Sequence, residues 1–302
     1  MRIFDNANFE FIAARRKAYI FSGILMLVSL VSLATRGLEM GIDFKGGMEF
    51  IVSTTSPLDA TSVRLGLADD LGSAPEVKTY GADDLIVRTV GEGTIDEVQA
   101  RILSGVAADY PGSNPTIEGR NVVGPRFAED LKMGALYSIL GSLLVIFLYI
   151  LVRFEWKFSV GAIAALFHDV LFTLGVFSLF QGILPFSLQV DQTVIAAFLT
   201  IVGFSINDTV VIFDRIREYD ALFKSENTAR VMNRSINSTL SRTVITTGTV
   251  LLTVIVLFIF GGEVLRGFAF ALIVGFISGT YSTVFIASPV VLELKNRFAT
   301  KR

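Results

Sequence analysis

The sequence contains no cysteine, one histidine, one tryptophan and seven prolines in 302 residues. Without cysteine it can form no disulfide, thiolate metal site or cysteine nucleophile. A lone histidine, His168, cannot furnish the two imidazoles of an HExxH zinc protease. Charge is also scarce, with Asp, Glu, Lys and Arg at 18% against about 25% in soluble domains. The balance of 26 Lys+Arg and 28 Asp+Glu leaves −2, without the basic excess of a nucleic-acid binder. What dominates is apolar: 52% hydrophobic residues and a mean hydropathy of +0.62. Lipid is the medium that this composition fits.

Crossing about 30 Å of hydrocarbon takes roughly 20 helical residues. Six runs qualify, at 18–35, 133–152, 158–180, 193–213, 243–260 and 267–288. The first is too long for the 7–15 residue apolar core of a signal peptide and reads as a retained anchor. Orientation follows the basic flanks. Arg15, Arg16 and Lys17 precede the first span, Arg153 and Lys157 join the second to the third, and Arg215 to Arg242 lie between the fourth and fifth. More basic residues follow the sixth, whereas the short loops on the opposite side hold only Arg266. Residues 1–17 and 293–302 are therefore expected in the cytoplasm, and 36–132 outside it.

The segment 36–132 alternates between the two periodicities. Strands are expected at 48–53, 77–80, 84–89 and 116–123, and helices at 59–71 and 94–110. The order β-α-β-β-α-β is the split βαβ, ferredoxin-like arrangement. The expected fold is thus a six-span α-helical membrane bundle with one α+β ferredoxin-like extracytoplasmic domain.

Charge inside a membrane span costs about 2.5–3.5 kcal/mol on insertion scales and points to function. Asp208 lies five residues inside the end of span four, with Ser205, Ile212 and Arg215 on its face at helical spacing. In span five, Ser235, Thr239, Arg242, Thr246, Thr249 and Thr253 recur at steps of three and four, which makes a polar stripe. Arg242 sits at a depth comparable with Asp208, so a carboxylate–guanidinium contact between antiparallel helices is expected. Two readings stay open: a static neutralising pair, or a carboxylate that alternates between an ion pair and a protonated, released form. His168 and Asp169 are the second anomaly. Adjacent helical residues project about 100° apart, so His168 is either a proton stepping-stone or a packed histidine bonded to a neighbouring helix. Gly203-Phe204-Ser205 lacks the second glycine of a nucleophile elbow and has no base beyond His168, which argues against a serine hydrolase. Gly275-x-x-x-Gly279 predicts close helix packing.

Three stretches are more specific than any short motif. They are Gly41-Ile42-Asp43-Phe44-Lys45-Gly46-Gly47, the run from Ser205-Ile206-Asn207-Asp208 to Arg217-Glu218, and Asn233-Arg234-Ser235-Ile236-Asn237 with Leu240-Ser241-Arg242-Thr243. Through them the chain resembles the SecF family, the smaller membrane subunits of the SecDF accessory to bacterial Sec export, within the RND superfamily. The resemblance implies half of a twelve-span assembly with SecD, drawing on the proton-motive force to help preproteins leave SecYEG, with YajC and YidC as further candidate partners. It implies Asp208 as the intramembrane acid and Arg242 as its basic partner, with protons as coupling ion and no other cofactor. Asp43, Phe44, Gly46 and Gly47 would be the signature opening the external domain. The glycines are expected to permit a sharp exit from span one. His168, Asp169, Asn207, Ser205 and Thr246 are further candidates for a proton route.

Overall fold

The computed structural model describes residues 7–299 apart from 74, 91 and 185; the ends of the flanks expected in the cytoplasm, 1–6 and 300–302, lie outside the described residues. Six helical segments are long and apolar enough to cross a membrane: 15–36, 125–153, 156–180, 192–222, 228–260 and 265–298. They begin with α1 (Arg15–Arg36), and after the external domain come α5 (Pro125–Arg153), α6 (Trp156–Phe180), α7 (Gln192–Leu222) and α8 (Thr228–Phe260). The sixth comprises α9 (Gly262–Ser282), one π-helical turn (Thr283–Ala287) and α10 (Ser288–Ala299). Each runs past the apolar core that the sequence marks out, because hydrogen bonding continues into the charged flanks. Asp191 starts α7 by accepting the Val194 N–H (2.8 Å), and Asn227 starts α8 by accepting that of Ala229 (2.8 Å), the usual use of such side chains at a helix N-terminus.

Small residues set the helix approaches. Ser22, Ser29 and Ser32 are buried on α1, and the Ser32 hydroxyl meets that of Ser178 on α6 at 2.9 Å. A β-carbon on Gly175 would come within 2.7 Å of the Ser29 Cα, so α6 needs glycine there. The Gly275-x-x-x-Gly279 stretch packs α9 on α7: a β-carbon on Gly275 would fall 2.8 Å from Ile201 Cγ2, and one on Gly279 3.1 Å from Ser205 Cβ. In contrast, α5 and α8 are only 6% and 11% buried over their apolar windows.

The external domain contains a short helix α2 (Ile42–Lys45), then β1 (Gly47–Ser53), α3 (Ala60–Asp70), β2 (Glu76–Tyr80), β3 (Asp84–Thr89), α4 (Ile95–Asp109) and β4 (Thr116–Val123). The sheet order β2-β3-β1-β4 is antiparallel throughout, which is the split βαβ arrangement that the alternating pattern predicts. Its core joins Phe50, Val52, Leu85 and Val87 of the sheet to Val63, Leu67, Val98 and Ile102 of the two helices. Helix α2 was not legible in the sequence, because four residues carry no periodicity.

The domain rests on the bundle through polar contacts. Ser187, in the loop between α6 and α7, donates to Glu76 (2.9 Å). Within the domain, Arg88 on β3 bonds Glu49 on β1 (2.6 Å). Burial works against the Arg88 charge, but Glu49, with Glu76 and Asp191 beside it, outweighs burial and holds the guanidinium above its ordinary value.

Candidate functional site: a polar layer inside the bundle

Two apolar clusters fill the bundle. One, toward the chain termini, contains Ala165, Ile212, Ile236 and Val284; the other, toward the external domain, contains Phe177, Ile201, Val254 and Phe276. Between them α6, α7, α8 and α9 each turn hydroxyls or a carboxylate inward. Asp169, Ser205, Asp208, Thr243, Ser278 and Ser282 are all buried there.

Asp169 is the centre of this layer. Its Oδ2 accepts from the hydroxyls of Ser205 (2.8 Å) and Ser282 (2.7 Å), and its Oδ1 from that of Ser278 (2.7 Å). His168 Nδ1 lies 3.2 Å from the same Oδ1. His168 Nε2 is buried without a partner. His168 therefore bonds its own sequence neighbour and not another helix. The 100° offset is overcome because the side chains bend toward one another. Ser205 belongs to Asp169 and not to Asp208, although it shares the Asp208 face of α7 in projection.

Asp208 occupies a different environment. One oxygen accepts the Thr243 hydroxyl of α8 at 2.7 Å; the other is buried with no partner. No ion pair forms between Asp208 and Arg242 within 4.0 Å, so the expected direct contact is corrected. Presenting Thr243 to Asp208 turns the preceding residue about 100° around α8. Arg242 is accordingly exposed. It lines a cavity of about 760 Å³ at the terminal end, with Asp214, Arg215 and Glu218 of α7.

The inward stripe of α8 is also corrected. Ser235, Thr239, Thr243 and Thr247 are buried, at steps of four, whereas Thr246 is half-buried and Thr249 exposed. Thr247 meets Thr280 of α9 at 2.9 Å. Thr249 and Thr253 bond back to carbonyls of their own helix, and Thr246 makes no hydrogen bond to Asp208. Asn207 is exposed on the outer side of α7, away from both carboxylates. The sequence assigns no role to Thr243, Ser278 or Ser282; the steps of four from Thr239 through Thr243 to Thr247 and from Ser278 to Ser282 are the signal that places them on inward faces.

The signature near the external domain lies apart from this layer. Asp43 Oδ2 accepts the backbone N–H of Gln192, the first residue of α7, at 3.0 Å. Phe44 is buried in the apolar cluster toward the domain, with Val194, Ala197 and Phe198 of α7. Gly46 and Gly47 have φ of 76° and 146°. A β-carbon on Gly47 would lie 2.7 Å from the Thr89 oxygen, and one on Gly46 3.2 Å from that of Val123. The pair therefore serves a close backbone crossing as well as a turn. No group of residues suited to holding a metal ion occurs among the described residues.

The model of the family described as "Protein export membrane protein SecD/SecF, C-terminal" matches residues 102–297, and that of the "SecD/SecF GG Motif" matches 31–57. The chain is 65% identical to the protein translocase subunit SecF of Rhodothermus marinus, covering 100% of this chain and 98% of that protein. The chain belongs to the SecF family. The SecF of Cereibacter sphaeroides is 40% identical over 96% of this chain and 90% of its own length. The crystal structure of SecDF from Thermus thermophilus, a translocon-associated membrane protein, superposes with a TM-score of 0.82 at 35% identity over 98% of this chain. The chain spans 40% of that SecDF polypeptide, so the SecF fold is one part of a larger assembly there. Six spans and one α+β domain, as the sequence predicts, make this SecF-family chain a multi-pass membrane protein and a protein translocase subunit.

Proposed function

We propose that this chain pairs with a SecD subunit and couples proton movement to preprotein export, with Asp208 as the group that takes up and releases the proton. The contrast between the two buried carboxylates carries the reading. Both Asp169 oxygens are already engaged by hydroxyl donors from α7 and α9; protonation there would break at least one of these bonds and force a hydroxyl to turn round and accept. Asp208 has one oxygen bound to Thr243 and one buried and unpartnered. A buried polar atom in that condition costs about 1–3 kcal/mol, and a proton, a water or a partner's cationic side chain removes the cost. An oxygen so placed gives a proton a place to bind and to leave, as coupling to a gradient requires.

Asp169, Ser205 and His168 are the fixed frame of this switch, and Arg242 supplies positive charge from the neighbouring cavity without a permanent bond. Asn207 and Thr246 bond neither carboxylate and stand outside this frame. The exposed apolar faces of α5 and α8 fit coverage by SecD spans, because Ser, Thr and Gly positions there allow close helix approach. In this reading both termini are cytoplasmic, the membrane is the bacterial inner membrane, and the external domain faces the emerging preprotein beside SecYEG, with YajC and YidC as further candidates. The chain performs no covalent chemistry, binds no nucleic acid and uses no cofactor besides the coupling proton.

The test is Asp208→Asn in the assembled complex. It should leave the amount of complex unchanged and abolish the gradient-dependent part of preprotein export. Retention of full gradient sensitivity would make the chain a scaffold for SecD and reject the coupling role. A stable self-assembly that exports small molecules without a SecD companion would reject the family's division of labour for this chain.

A further inference from the structure

Asp43, Phe44, Gly46 and Gly47 lie outside the polar layer, and proton uptake at Asp208 gives them no task. They meet at a joint of three chain segments. Coming out of α1, the backbone forms a parallel bridge between Met40 and Val190, with Gly41 N–H donating to the Val190 oxygen (2.9 Å) and Val190 N–H to the Glu39 oxygen (2.8 Å). Asp43 then caps the first turn of α7 beside Asp191, and Phe44 inserts among the α7 side chains Val194 and Phe198. Finally, Gly46 and Gly47 pass against Val123, Pro125 and Thr89, where the external domain leaves for α5. The entrance and exit of the domain are thus fastened to each other and to the start of one helix.

That helix is the one that carries Asp208. Helix α7 is α-helical without interruption from Gln192 to Leu222, whereas the segment built from α9 and α10 is broken by a π-helical turn. Asp208 lies about 24 Å along α7 from Gln192 at the helical rise. Helix α7 has no proline and no π-bulge, two of the features at which helices kink sharply, so a displacement of its first turn is carried along it toward Asp208.

We propose that the Asp43-Phe44 segment is the mechanical coupling between the external domain and the proton-bearing helix: Asp43 and Phe44 are positioning residues that make the orientation of the domain follow the state of Asp208. The inference rests on the assignment of Asp208 as the proton-accepting group.

The chain has no cysteine, which allows two spin labels to report the distance from domain to bundle in the full complex with a cysteine-free SecD. Ser104→Cys on α4 and Leu27→Cys on α1 occupy exposed positions. Asp208→Asn, which mimics the protonated acid, should shift the distance distribution in the otherwise unaltered chain. In an Asp43→Ala, Phe44→Ala background the shift should shrink about fivefold or more, the population change that a typical N-cap bond corresponds to. Asp43→Asn should restore most of it, because the carboxamide oxygen still accepts the Gln192 N–H. A purely structural role would lower the yield of complex without separating Ala from Asn in this readout. An Asp208→Asn shift of equal size in the Asp43→Ala, Phe44→Ala chain overturns the proposal. So does the absence of any shift in the parent chain; the export assay of Asp208→Asn then shows whether the proton assignment stands alone or fails too.

Discussion

Replacing Asp169 tests whether the polar layer holds the bundle together. In Asp169→Leu, the hydroxyls of Ser205, Ser278 and Ser282 and the ring of His168 lose their shared acceptor. Hydrogen bonds between membrane helices average about 0.6 kcal/mol and reach about 1.7. Four such contacts correspond to about 2–7 kcal/mol of bundle stability. Opposing this, leucine removes a buried charge, and exchanging buried ionic groups for well-packed apolar ones can be neutral or favourable. The serines decide the sign here, since they themselves remain polar and buried after the exchange. In Asp169→Asn, one acceptor oxygen persists and the hydroxyls facing the new NH₂ can rotate to accept from it, so less than half of that loss is expected. The assay is thermal unfolding of the purified complex in mild detergent. Asp169→Leu should unfold well below the parent and Asp169→Asn in between. Leucine at or above the parent would refute the reasoning, since charge burial would then outweigh the hydroxyl contacts.

Three further expectations follow from the same geometry. Gly175→Leu should separate α1 from α6 and lower the midpoint of the same unfolding curve by an amount matching about 1–3 kcal/mol of overpacking, because Ser29 occupies the space; an unchanged midpoint would show that the two helices slide freely. Arg242→Ala should reduce gradient-dependent export, and Arg242→Lys should retain more than half of it, since Arg242 acts here as charge across a cavity without a fork on Asp208; equal loss in both would show that guanidinium geometry matters. Asp59 accepts from the Ser62 hydroxyl (2.7 Å) and backbone N–H (2.8 Å) at the start of α3, which holds its carboxyl below the ordinary value. A depressed folded value contributes stability that is fully present above the unfolded pKa of about 3.9 and is lost as pH falls from there through the lower folded value. Asp59→Ala should therefore speed amide exchange in α3 at neutral pH, with the difference from the parent closing under acid; a difference independent of pH would exclude the carboxylate as its source.

Much of this molecule is written in one dimension. Six apolar stretches must be helical in lipid, because only a helix satisfies its own backbone within one segment. In the external domain, the apolar run Leu85-Ile86-Val87 behind the turn at 81–83 and the helical spacing of Val98, Ile102 and Val106 place strand and helix from local pattern alone. Asp208 was conspicuous for the same kind of reason, as a charge in an apolar run.

What the sequence left open was rotation. Whether Thr243 or Arg242 faces Asp208 is a matter of 100° about α8, and helical spacing over ten residues drifts by that much between steps of three and four. Asp169 gained its role from serines on α7 and α9, 36 to 113 residues away, and Gly47 from an oxygen on β3. The sequence determined which segments cross the membrane and which charges are out of place there, since burial in lipid acts on each segment separately. The tertiary structure decided which of those charges are bound and which is left unsatisfied, since that depends on the faces that separate helices turn toward one another.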